Sequence, residues 1–201
     1  MKAVEKPVEL KFANLVPQVW EALAKLPRTG WVMWKIENPE SVQDHVVGLM
    51  ELAAKVSGEL VEFSNQDRQD LLDMLEVHDW PEATVGDEVI IAESLNDHKV
   101  TKAEKFKKEE VVMYKFCDPL GEVGKVIFDL WFRFETAPDQ VATFARELDK
   151  YHAIEKAYQY ELKQGKKGLV AEFIQYSGKY INHPILLEKV KKIEHSLLNI
   201  N

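Results

Sequence analysis

Apolar residues recur at intervals of three and four along almost the whole chain, a period that commits it to helices. Phe12, Leu15, Val16, Val19, Leu23 and Leu26 share one such face, with Pro17 set to kink or restart the segment. Ser41-Val42-Gln43-Asp44 has the form of a capping start, and Val42, Val46, Leu49, Leu52, Ala53 and Val56 supply the stripe that follows. A third helix begins near Ser64 or Asn65 and carries Leu71, Leu72, Met74, Leu75 and His78. It should stop just past Asp79, because Pro81 disfavours helical geometry at Trp80. Stretches 101–117, 121–136, 138–163, 169–179 and 184–198 read as further helices. Only residues 89–92 read as a strand, too short a run to build a sheet. The fold expected is all-α, one compact multi-helix domain spanning 1–201.

A chain of 201 residues can enclose one sizeable core, and 46% apolar with 30% charged residues favours a packed interior over disorder. The single cysteine, Cys117, excludes an intramolecular disulfide and fits a reducing compartment. No apolar run has transmembrane length, and residues 1–6 lack the apolar segment of a secretory signal. A cytoplasmic location with no membrane partner is therefore expected. The formal net charge of −8 argues against a nucleic-acid polymer as partner. It leaves room for a small anion met by a metal ion and one or two local cations.

His78-Asp79 is the pair that carries chemistry. Imidazole nitrogen and carboxylate oxygen are both accepted by divalent metals of the first transition row, and neighbouring positions at a helix end let both reach one ion. His45 falls on the inward face with Val42, Val46, Leu49 and Leu52, and Asp149 on a face shared with Ala142, Ala145 and Ala153. A carboxylate on such a face needs a cation or good donors. Two neutral imidazoles and two carboxylates balance a 2+ ion. Taken singly, His45 also reads as a satisfied interior histidine, and Asp149 as a cap or ion-pair partner.

The order His45, His78-Asp79, Asp149 resembles the HD-domain metal-dependent phosphohydrolase superfamily, and more than the order matches. Arg28-Thr29-Gly30-Trp31 with Glu40-Ser41-Val42-Gln43-Asp44-His45 resembles that family's opening motif. Val77-His78-Asp79, Glu82-Ala83 and Gly86-Asp87 resemble its centre, and Leu148-Asp149-Lys150 with Ala157 and Tyr160-Glu161 its later helix. Gly178-Lys179-Tyr180 and His183-Pro184 resemble a distal segment, so the similarity covers 27–184. It points to the 5′-deoxynucleotidase-like branch, whose members remove phosphate from deoxynucleoside 5′-monophosphates and are often homodimers. The resemblance implies one divalent metal (Co, Mn, Fe, Ni, Zn or Mg) held by His45, His78, Asp79 and Asp149. It implies Glu82 and Asp87 as catalytic acids, Arg28 as a phosphate clamp and Trp31 as a wall on the sugar side. Glu82 and Asp87 leave the pocket negative, so a phosphate needs extra positive charge, and Arg28 is the obvious source.

The chain departs from the pattern at Arg133, where relatives carry an acid, at His152-Ala153, where they show glutamate and methionine, and at Trp80-Pro81. His152 leaves open an extra ligand or a partner of one, and reads first as a helix-surface position. His98 and His195 read as exposed, and 102–110 as a solvated helix face. Hydrolysis of another nucleotide or a phosphodiester, or a non-catalytic metal-binding regulatory role, are the alternative readings.

Overall fold

A computed structural model of the chain describes residues 8–87 and 101–198. Residues 1–6, the strand-like run 89–92 and His98 lie outside them. Among the described residues the regular structure is helical, and backbone pairing between extended segments is limited to one isolated antiparallel bridge, Pro27 with Ser41.

Pro17 restarts the first segment. A single 3-10 turn at Ala13–Leu15 precedes it, and α1 (Pro17–Lys25) opens with the proline at its first position, where a missing N–H costs nothing. A short α2 (Thr29–Met33) follows. Both α3 (Val42–Val56) and α4 (Asn65–Val77) begin with reciprocal caps. Ser41 accepts from the Asp44 N–H and Asp44 from the Ser41 N–H; Ser64 and Asp67 repeat the arrangement. Helix α4 ends at Val77, with His78 as its still-helical cap, and Pro81 precedes the one-turn α5 (Glu82–Val85). The second half holds α6 (Lys102–Cys117), α7 (Gly121–Thr136), α8 (Gln140–Gln164), α9 (Leu169–Ser177) and α10 (Pro184–Leu198). Helix α8 starts two residues later than its sequence pattern suggests because Asp139 serves as the cap, accepting from the Ala142 N–H. The stretch 169–179 tightens into a 3-10 turn at Gly178–Tyr180.

The long α8 is the axis of the bundle, packing against α3, α4, α7, α9 and α10. Trp31, Trp80 and Trp131 are fully enclosed and supply large apolar area to the core. Between α6 and α7 the backbones touch. A Cβ at Gly124 would sit 1.9 Å from the Cys117 carbonyl oxygen, so only glycine permits the approach. No described helix is long and apolar enough to cross a membrane.

Arg133 is accounted for by this packing. Its guanidinium, on α7, binds Asp139 at 2.7 Å and also pairs with Asp70 on α4, so it ties two helices and the cap of a third. The bridge between Pro27 and Ser41 positions the site. The Arg28 N–H donates to the Glu40 carbonyl (3.1 Å) and the Val42 N–H to that of Leu26 (2.8 Å), fixing Arg28 beside the start of α3.

Candidate metal centre

Three segments converge at the middle of α8. The inward face of α3 brings His45, the α4 terminus brings His78 and Asp79, and the middle of α8 brings Asp149. His45, His78 and Asp149 each place a ligand atom within 4.8 Å of the other two, and all three are buried. Asp79 Oδ2 lies 3.1 Å from His78 Nε2 and 3.7 Å from His45 Nε2, and His45 Nε2 is 3.1 Å from Asp149 Oδ1.

Two buried nitrogens test whether an ion fits. His45 Nε2 and His78 Nε2 are enclosed, yet neither has a partner aligned for a hydrogen bond despite a carboxylate oxygen nearby. Orphaned buried polar atoms are rare in folded proteins. Lone pairs meeting carboxylate oxygens at about 3 Å match adjacent ligands around an ion bound at roughly 2.1 Å. The His78 tautomer agrees, since its Nδ1–H donates to the Leu75 carbonyl at 2.8 Å and leaves Nε2 bare. The group is able to hold a divalent metal.

Charge around the site is strongly organised. Burial would raise the Asp79 carboxyl, but the charges of His78, Arg28 and His45 outweigh it and hold it far below the carboxylate range. Asp149 is likewise depressed against its burial, by Lys150 and the two imidazoles. Burial and then the Arg28 charge push His45 towards its neutral form; at His78 burial is the largest influence, but Asp79, Asp149 and the Leu75 carbonyl together outweigh it and raise the group. Arg28, bound to Asp79 Oδ2 at 3.1 Å, stays cationic despite its burial, because Asp79, Asp87, Asp149 and Glu82 surround it.

Glu82, first residue of α5, is buried, and its Oε2 has no hydrogen-bond partner. Burial, then the charges of Asp79 and Asp87, hold its carboxyl well above the ordinary range. Asp87 lies at the turn made by Gly86, whose φ of 85° suits glycine. Its carboxylate accepts from the Thr29 N–H and its carbonyl from the Thr29 hydroxyl, at 2.6 Å, so it anchors the start of α2 next to Arg28. Trp31 is enclosed in the core. It stacks on Phe173 at 4.6 Å, meets Tyr160 edge-on, and donates its N–H to Glu40 at 3.0 Å. Its place is in the core, not on an open surface.

Two expectations are corrected here. The 102–110 face is not wholly solvated: Lys105 is largely buried with its ammonium 3.6 Å from Glu82 and 3.4 Å from Glu109, and Glu109 is enclosed. Burial raises Glu109 to about 7, with Lys105 opposing it. Nor is His152 on the surface; it is 4% exposed, with Nδ1 3.0 Å from His45 Nδ1. A charged run conceals which of its members turn inward. For Lys105, the signal available was its spacing: it lies on the same helical face as Val112 and Met113, both buried. His195 is exposed, as expected.

Comparison with known proteins agrees with this arrangement. The HD domain family model matches residues 20–188. The 5′-deoxynucleotidase HDDC2 of Danio rerio is 36% identical over 186 residues, covering 92% of this chain and 85% of its own length. That of Homo sapiens is 33% identical over 92% of this chain and 84% of its own. The 5′-deoxynucleotidase YGK1 of Saccharomyces cerevisiae is 30% identical over 94% and 81%. The crystal structure of a Pyrococcus horikoshii OT3 protein superposes with a TM-score of 0.65 at 26% identity, covering 92% of this chain and 96% of that one. With the matched region containing every residue of the convergent group, the chain belongs to the HD domain family.

Proposed function

We infer that this chain is a metal-dependent phosphomonoesterase that hydrolyses deoxynucleoside 5′-monophosphates to deoxynucleoside and inorganic phosphate. The observation that carries the reading is the pair of buried imidazole nitrogens without aligned partners, facing Asp79 and Asp149 beside Arg28. The activity named for its relatives supports the choice of substrate.

In this reading His45, His78, Asp79 and Asp149 hold one divalent ion, and Co, Mn, Fe, Ni, Zn and Mg all suit the charge and donor set to differing degrees. Such an ion supplies Lewis acidity towards a phosphate oxygen and towards water. The Arg28 fork holds Asp79 with one edge and has donors left for the phosphoryl oxygens. Water forms the new bond to phosphorus, the bond from phosphorus to O5′ breaks, and Glu82 passes its proton to the departing oxygen. The proton released by the water restores Glu82. Lys105 steadies the ionised Glu82 in between. Asp87 acts by fixing α2 and with it Arg28, and Trp31 backs the surface on which the sugar rests. A homodimer in the cytoplasm belongs to the same proposal, and sedimentation mass tests the dimer.

The test is phosphate release by the chelator-stripped protein from deoxy- and ribonucleoside 5′-monophosphates, with and without added cobalt or manganese. Release that requires metal, favours the deoxy series and is abolished in Asp79→Ala is expected. No release despite stoichiometric bound metal would reject the nucleotidase and send the search to phosphodiesters or a regulatory role.

A further inference from the structure

We propose that His152 is a positioning residue for the metal centre: its Nδ1 accepts the Nδ1 proton of His45 and thereby presents the bare Nε2 of His45 to the ion. This rests on the proposed reading of His45 as a ligand. The two Nδ1 atoms are 3.0 Å apart, a hydrogen-bond distance at which one nitrogen must carry a proton and the other must not. His45 Nε2 is the atom without an aligned partner, pointed at Asp149 and Asp79. If it binds metal it carries no proton, so the proton of neutral His45 sits on Nδ1 and His152 is the acceptor. His78 solves the same problem with the Leu75 carbonyl. His45 lacks that option because it lies within a continuous helix whose carbonyls are engaged in the ladder.

The surroundings fit an acceptor and not a second metal ligand. Glu40 is the buried acid grouped with these two imidazoles; its Oε1 takes the Trp31 N–H, and its Oε2, without an aligned hydrogen-bond partner, faces the Lys156 ammonium at 2.9 Å. A cation at that place would meet Lys156. Space for the ring comes from Gly48, one turn along α3 from His45, where a Cβ would approach His152 Nε2 to 3.0 Å.

Asparagine can set its oxygen where His152 Nδ1 lies, and leucine has nearly the same volume with no acceptor. His152→Leu is expected to bind cobalt roughly 10- to 100-fold more weakly than the wild type, and His152→Asn to stay within a few-fold of it. Apo-protein circular dichroism checks that both fold. Equal affinity of His152→Leu and the wild type, or of the Leu and Asn variants, overturns the proposal. Should a variant fail to fold, ¹⁵N-histidine spectra of the stripped wild-type protein decide alone. Scalar coupling between the two Nδ1 atoms, with the proton on His45, is expected; a proton on His45 Nε2 overturns the proposal. A wild-type protein that binds no cobalt overturns the metal centre itself, an outcome distinct from either.

Discussion

Glu82 shows how a functional side chain can work against the fold that carries it. Below the unfolded-state pKa of about 4.3 both folded and unfolded chains hold the proton. Above it the unfolded chain ionises freely, while the folded one keeps its proton or ionises against burial and the charges of Asp79 and Asp87. The folded-state pKa is raised, so this group takes stability away as pH rises from about 4.3 through its folded value. Glu82→Gln removes that loss. In chelator-treated protein it is expected to be more stable than the wild type at pH 8 by about 1–2 kcal/mol, with the gain vanishing near pH 4. Its kcat should fall by about 10²- to 10⁴-fold, since the amide has no proton to give. Thermal melts of both proteins across pH measure the first effect; a gain of the same size at pH 4 and pH 8 would refute the assignment. The identity of Glu82 as a candidate came from the family resemblance. That its carboxyl is raised was not legible in the sequence, because the largest cause is burial, and the opposing charges of Arg28 and Lys105 come from elements distant in sequence.

At the scale of elements, two caps that use residues adjacent in sequence could be read in advance, the local cap Asp139 was missed, and those that use distant residues could not be read. Ser41 with Asp44 and Ser64 with Asp67 are local and appear as patterns. Elsewhere an acid from one helix satisfies the backbone of another. Glu161 accepts from the Gly168 and Val170 N–H groups at the start of α9, and Glu147 from those of Asn182 and His183 ahead of α10. Glu76, on α4, accepts three N–H groups, from Lys11 (2.8 Å), Phe12 (2.6 Å) and Ala13 (2.8 Å), which pins the leading turn to the bundle. Nothing in the sequence around Glu76 or Glu147 announces these partners, which lie 63 to 65 and 35 to 36 positions away respectively. Glu76→Ala strands enclosed donors at Phe12 and Ala13 and should destabilise the fold by on the order of 3 kcal/mol. Urea denaturation would register this as a lower midpoint; an unmoved midpoint would mean that water replaces the carboxylate without loss.

For the whole molecule, the candidate centre is also a junction. Its groups come from α3, the end of α4 and the middle of α8, and α8 contacts most of the bundle. The helical period was enough to foresee an all-α bundle, and the resemblance to place His45, His78, Asp79 and Asp149 together. It did not foresee that Asp79 is shared with Arg28, or that His152 stands behind His45, because both depend on the crossing of helices. An ion bound across that junction stabilises the folded state alone, since the unfolded chain does not bring the four groups together. At free metal 100 times its Kd the gain is about 2.7 kcal/mol. For a chain of this length that amounts to a rise in Tm of roughly 5–11 °C. Chelation should therefore lower Tm by that amount, and cobalt or manganese should restore it. Asp149→Ala should abolish the response; it also removes a carboxylate that Lys150 and the imidazoles favour, so a lower Tm without metal is expected and the shift on adding metal is the readout. If metal shifts the Tm of Asp149→Ala as far as that of the wild type, the stabilising ion binds elsewhere and the junction is held by packing alone.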